Sequence, residues 1–278
     1  MNMVKKILRN LTAAGFLTLA ACFPVFKQTH EYTEPKGFVR SAVTQTQGSL
    51  KIYVKPDSNK FVYFIMDTHA LLPDHIYKEE NAPIQYCIAS LMEYLAEEKG
   101  VRMIGIEGYE GELKGKEYFR ELKEAAKEVM EEMPPDKEMK DALKWIIAPY
   151  ALEILEPDKF YTFGVDDKKL QEEYESYFKR MKEIANETVK FDSNEKINAL
   201  YKEVLELDRK MNENKRKRGI NAVRIFLEEM DRKGYKKGIL VFGRGHRKEI
   251  EEELEKNCSY ELFDPVLFCL ERKKDSEE

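Results

Sequence analysis

Short apolar runs stand out along this chain against a strongly charged background. Phe61-Val-Tyr-Phe-Ile-Met66, Val101-Arg-Met-Ile-Gly-Ile106 and Gly238-Ile-Leu-Val-Phe242 are nearly continuous and rich in β-branched and aromatic side chains. Runs of that kind suit parallel strands buried on both faces. Phe160 to Val165 is a further strand of this type. Leu50 to Val54 alternates instead, and with Phe61 to Met66 it predicts a hairpin around Pro56-Asp-Ser-Asn59. Between the strands the period turns helical. Ile84, Ile88, Leu91, Met92 and Leu95 share one face of a helix from about Glu79 to Lys99. Two helices flank Pro134-Pro135. From Lys168 to Arg232 the chain reads as helical and heavily charged. Asp192 with Glu195 has the capping-box spacing and opens a second long helix. Its apolar positions run through Leu200, Leu205, Met211, Val223, Phe226 and Met230, and Gly234 or Gly238 ends it. A helix from His246 to Lys256 and a terminal strand or hairpin from Tyr260 to Leu270 follow.

Strands alternating with helices predict an α/β fold with a mostly parallel central sheet and right-handed crossovers. Helices flank the sheet. The block between Asp167 and Gly234 is a long helical insertion before the last strands, placed to act as a lid.

The first residues do not read as part of that fold. Lys5, Lys6 and Arg9 precede a short apolar stretch, Leu11 to Ala21, which closes in Leu19-Ala-Ala-Cys22. A basic segment, a stretch too short to span a bilayer and a small-residue cleavage site make a signal peptide over residues 1–21. The ending resembles the lipobox of bacterial lipoproteins, which implies lipidation at Cys22 and attachment to membrane lipid, with the domain facing the periplasm or cell exterior. Residues 22–48 read as a tether, 49–271 as the α/β domain and 272–278 as a charged tail.

Composition narrows the function classes. Hydrophobic residues make up 42% of the chain, enough for a sizeable core in one domain. Charged residues make up 36% but the net charge is only −5. Interspersed Lys and Glu at this density resemble thermophile surfaces and argue against a nucleic-acid partner, which requires a basic face. No Cys-x-x-Cys occurs, so a cysteine-rich zinc site is excluded. Cys258 and Cys269 flank the Asp264-Pro265 turn and either pair or remain buried thiols.

The chemistry concentrates at strand ends. Only four histidines occur. His69 follows the first apolar run in Asp67-Thr-His69, and His246 follows another in Gly243-Arg-Gly-His246. Glu107 ends the run at Val101. In an open α/β sheet the carboxyl ends of the strands form the ligand crevice. His69, His246, Glu107 and Asp67 therefore make a candidate set for a divalent metal, with Glu107 and His246 as catalytic candidates. Asp67 is either a ligand or the group that orients the His69 ring. Gly243 and Gly245 are read as a sharp bend, and His246 as sitting at a helix N-terminus, where a neutral ring is favoured. The bland alternatives are a polar cap for His246 and a salt bridge for Glu107. Asp166-Asp167 ends another strand. One of the two should cap the next helix, and Asp166 is a candidate for substrate binding. Asn214, Arg218 and Asn221 share a helical face, either a solvated basic surface or, through Arg218, an anion-binding one. His75 reads as a solvated loop residue, and His30 lies in the tether.

The order of these motifs resembles the TraB/Tiki superfamily, which includes erythromycin esterase-like and ChaN-like proteins. The resemblance rests on the early strand with His69, Gln85 on the following helix, Ile104-Gly-Ile-Glu-Gly108, Arg218 in a long helical region, and Gly243-Arg-Gly-His246. It covers the chain from Phe61 to about Pro265. Met66 stands where the family's first Gly-x-x-His motif has Gly. The resemblance implies a site at His69, Glu107 and His246. Members range from metal-dependent proteases and a lactone-cleaving esterase to haem-binding lipoproteins. The expectation is a metal-dependent hydrolase of ester or amide bonds acting on a small molecule or peptide. The alternative is a haem- or iron-binding lipoprotein without turnover. No Gly-x-Ser-x-Gly elbow and no His-Glu-x-x-His occurs, so serine hydrolase and zincin readings lack support.

Overall fold

The computed structural model describes residues 49–67, 78–113, 148–155, 158–188 and 194–265. They form two compact units, a sheet unit and a helical unit comprising Asp167–Gly219.

Among the described residues the sheet has seven strands: β1 (Ser49–Tyr53), β2 (Phe61–Asp67), β3 (Met103–Ile106), β4 (Glu110–Glu112), β5 (Tyr161–Val165), β6 (Lys237–Gly243) and β7 (Ser259–Phe263). Their order is β1-β7-β2-β6-β3-β5-β4. The five inner strands run parallel, and β1 and β4 close the sheet as antiparallel edges. The α/β fold with a mostly parallel sheet is thus as expected. The hairpin is not. β1 pairs with β7, while β2 lies between β7 and β6 in parallel. The alternation of Leu50 to Val54 fits any half-buried edge strand, and Pro56 to Asn59 links two strands that are not neighbours.

The helices of the sheet unit are α1 (Lys78–Glu98), α2 (Ala148–Leu155), the part of α4 (Asn194–Lys233) from Ile220 onward, and α5 (Arg247–Asn257). Strand alternation divides the core into two layers. Tyr63, Ile65, Ile104, Ile106, Ile239 and Val241 pack with Ile88, Met92, Leu95 and Leu152 of α1 and α2. Val62, Phe64, Met66, Met103, Leu240 and Phe242 pack with Val223, Phe226, Met230, Ile250 and Leu254 of α4 and α5. Both faces are covered, which is why the inner strands read as unbroken apolar runs. At Gly105 a Cβ would lie 2.5 Å from the Phe226 ring, so α4 can approach β3 only because that position is glycine.

The helical unit comprises α3 (Lys168–Thr188) and α4 through Gly219. Ile184, Leu200, Val204 and Leu207 form a small core with Tyr177 and Met181. Leu205, read above as part of the apolar face, is 48% exposed, because Val204 and Leu207 take the inward positions. The Arg180 guanidinium clasps Glu203 through Nε and Nη2 at 2.7 and 3.0 Å. It holds the Glu203 carboxyl below its ordinary value. Past Lys233, Gly234 takes φ +76 and ends α4, as a C′ glycine does.

Cys258 is a buried free thiol whose pKa burial pushes up to about 12, so the reading of Cys258 as a partner for Cys269 does not hold. Cys87 on α1 is disulfide-bonded. No helix among the described residues is long and apolar enough to cross a membrane. The leader and tether, Cys22, His30, His69, His75 and Cys269, the Pro134-Pro135 region, Asp192 and the charged tail lie outside the described residues.

Candidate functional site

The strand ends anticipated as a site are neighbours. β2, β6, β3 and β5 are adjacent and parallel, so Asp67, Gly243, Glu107 and Asp166 stand side by side at the carboxyl edge of the sheet. Asp67 pairs in register with Gly243, and the Glu107 N–H continues the ladder by donating to the Val241 carbonyl at 3.2 Å.

Glu107 and His246 form the centre. The Oε2 of Glu107 accepts the Gly243 N–H at 2.6 Å, and its Oε1 lies 3.7 Å from Nε2 of His246. Charge assistance favours such a short bond to a carboxylate and fixes its orientation. His246 is 7% exposed and is the N-cap of α5, with no side-chain cap hydrogen bond. It is therefore not the polar surface cap that the bland reading offered. Its ring meets Phe242 edge-on with centroids 4.9 Å apart. The turn before it, Arg244–His246, is 3-10. Gly243 has φ −53, so the left-handed freedom of glycine is not what shapes the strand exit. That freedom is used at Gly108, which takes φ +93 directly after Glu107.

Alternation sets the other two acids on the opposite face of the sheet. Asp67 follows Tyr63 and Ile65 on the α1 side, where the Gln85 amide donates to its Oδ1 at 2.8 Å. The Gln85 carbonyl accepts the Ala148 N–H at 2.8 Å and so links β2, α1 and the start of α2. Asp166, 1% exposed, accepts the Gly108 N–H at 3.2 Å. Tyr150 of α2 donates to the Glu107 carbonyl at 3.4 Å and packs edge-on against Tyr109. Glu107, by contrast, shares the face of Met103 and Gly105, where α4 and α5 pack. Asp167 plays the cap role expected of one member of its pair, its Oδ1 accepting the Leu170 N–H at 3.1 Å.

A further contact ties this edge to β7. Arg244 Nη2 lies 2.8 Å from Oδ2 of Asp264, which follows β7 and is 1% exposed.

Arg218 belongs to the helical unit. It is 8% exposed with its guanidinium 5.8 Å from the Tyr174 ring, and Asn214, 4% exposed, donates to the Leu170 carbonyl at 2.9 Å. The solvated basic face expected for this stripe is therefore not found: two of its members are buried between α3 and α4.

Metal ligands lie about 2.0–2.2 Å from an ion, so one ion can span two donors up to about 4 Å apart. The 3.7 Å between Glu107 Oε1 and His246 Nε2 fits that limit. Among the described residues no group of three His, Cys, Asp or Glu is placed to hold a metal. Glu107 and His246 thus fit as a partial ligand set, and His69 lies outside the described residues. Comparison with family models, curated proteins and solved structures finds no match.

The structural role of Gln85 and the meeting of Arg244 with Asp264 are not anticipated above. Gln85 carried a signal: it lies three residues before Ile88 and seven before Met92, so it is a polar residue in an apolar stripe. Arg244 and Asp264 carried none, because their meeting depends on β7 lying beside β2.

Proposed function

We propose that this protein hydrolyses an ester or amide bond at the Glu107–His246 pair, as a member of the TraB/Tiki-like group that its motif order resembles. One observation carries the reading. A carboxylate with one oxygen fixed by a backbone N–H presents the other to a buried imidazole at the mouth of a parallel sheet. An oriented acid–base pair is what proton transfer to and from a reacting water requires. One member of the pair accepts the proton of the attacking water, and the other returns a proton to the leaving oxygen or nitrogen. A divalent ion, when bound, supplies Lewis-acid polarisation and a more acidic water. Glu107 and His246 would hold it, with His69 as the remaining candidate; Asp67, on the opposite face and held by Gln85, is not grouped with them. Asp166 stays a candidate for substrate binding in the sheet unit. The chain would act as an exported lipoprotein anchored through Cys22.

The test is hydrolysis of an ester and peptide panel by the parent, Glu107→Gln, His246→Ala and His69→Ala, each with and without chelator. The reading requires loss of turnover in the Glu107 and His246 variants, and chelator sensitivity assigns the metal. Full turnover in Glu107→Gln would overturn it. A strong visible haem band on reconstitution, with no hydrolysis of any substrate, would favour the haem-binding alternative.

A further inference from the structure

The turn that presents His246 is tied to the sheet on both sides. On the β3 side, the Gly243 N–H is bound to Glu107. On the other side, Arg244 reaches Asp264. β6 and β7 are separated by β2, so this ion pair spans two strand spacings, roughly 9–10 Å, across the carboxyl end of β2. Alternation places Asp264 on the face of Tyr260 and Leu262, which is the face of Phe242 and of α5. The ion pair, His246 and Glu107 therefore share one side of the sheet. The turn needs such support. It is a three-residue 3-10 segment, and neither it nor α5 has a side-chain cap at its N-terminus. The Arg244 side chain is 27% exposed and its partner 1%, so the anchor is the buried member. The contact is a single close approach of Nη2 to Oδ2, an oxygen that accepts no well-aligned hydrogen bond, so the permanent charge of the guanidinium carries it.

We infer that Arg244 and Asp264 act as a positioning brace: their ion pair fixes the Gly243–His246 turn so that Glu107 stays engaged by the Gly243 N–H and faced by His246. Arg244 is then a positioning residue, not a catalytic one. The inference rests on Glu107 and His246 working as a pair. It does not require that the pair hydrolyse anything, so the readout is chosen to need no turnover.

The experiment follows the Gly243 amide by NMR in the full chain. In the parent, Glu107→Gln should shift the Gly243 resonance and speed its hydrogen exchange. In the Arg244→Gln/Asp264→Asn double variant, which removes both charges of the brace, exchange at Gly243 should be at least about ten-fold faster. Adding Glu107→Gln there should move the resonance by less than half as much as in the parent. Arg244→Lys, which keeps the charge, should keep most of the response. A cooperatively folded double variant with parental exchange and an undiminished response to Glu107→Gln would overturn the brace, whatever its melting temperature. If the double variant does not fold, Arg244→Gln alone decides. Partial loss of the Glu107→Gln response supports the inference, and a full parental response overturns it. Absence of hydrolysis in the parent would remove the proposed function and leave this result standing.

Discussion

The two units of this protein hold their acids in different ways. In the helical unit, glutamates meet cations at the surface: Glu203 with Arg180, Glu206 with Arg209, Glu213 with Lys217. At the carboxyl edge of the sheet, three acids accept hydrogen bonds from neutral donors, while Asp264 meets Arg244. Asp67 takes the Gln85 amide, Glu107 the Gly243 N–H and Asp166 the Gly108 N–H. Surface pairs of long side chains contribute little to stability, because water and side-chain entropy offset them. Oriented dipoles in a partly closed edge fix a carboxylate without neutralising it, which is how a site keeps a charge available for chemistry. The same residue type thus supports solubility in one region and a candidate site in the other.

The contrast can be broken most sharply at Glu107. Glu107→Gln is isosteric and should leave the fold intact, yet reduce hydrolysis by about 10²–10⁴-fold, the usual contribution of a general acid or base. Equal loss of fold and activity, seen by circular dichroism beside the assay, would make Glu107 an ordinary structural acid. Next in size is Gln85→Leu. It removes the donor to Asp67 and the acceptor for Ala148, and should cost about 2–4 kcal/mol in urea unfolding, since buried polar groups lose their partners. Gly108→Ala should cost about 1–2 kcal/mol, because φ +93 forces a Cβ into a disfavoured conformation. It should also weaken the Gly108 bond to Asp166, read as faster exchange of that amide.

The smallest effect belongs to the helical unit. Arg180→Gln should cost under about 1 kcal/mol at neutral pH, because both partners are more or less a third exposed. Its pH dependence has a definite sign. Glu203 is held below its ordinary value in the fold, so its contribution is present above an unfolded pKa of about 4.3 and is lost as pH falls through the folded value. The stability gap between parent and Arg180→Gln should be flat from neutrality to about pH 5 and close below about pH 4, measured by thermal melts across that range.

Much of this is legible in the amino-acid sequence. The buried strands announced themselves because both faces of the sheet are covered, which makes apolar runs continuous. Their alternation with helices gave parallel pairing, and parallel pairing brings strand ends such as Asp67, Glu107, Asp166 and Gly243 to one edge. What was not legible was the partner of each strand. Leu50 to Val54 alternates equally well beside β2 or β7, and local chemistry at Pro56 to Asn59 cannot decide between them. For the same reason the Arg244–Asp264 pair was invisible. The polar stripe of Asn214 and Arg218 misled for another reason. Composition around it is basic, yet a helix packed against a second helix buries whichever face meets its neighbour, and here Leu170 and Tyr174 receive the polar groups.

The way the sheet ends bears on how the protein behaves in a crowded solution. Among the described residues its outermost strands are short and antiparallel. β1 shifts register between Ser49 and Lys51, and β4 is three residues long with Glu110 and Glu112 exposed around Gly111 at φ +80. An open edge is a template for strands of other molecules, and a broken register, a brief span and outward acids each make it a poor one. The aggregation-prone part of the molecule, its run of apolar parallel strands, is thus confined between two edges that resist growth by strand addition.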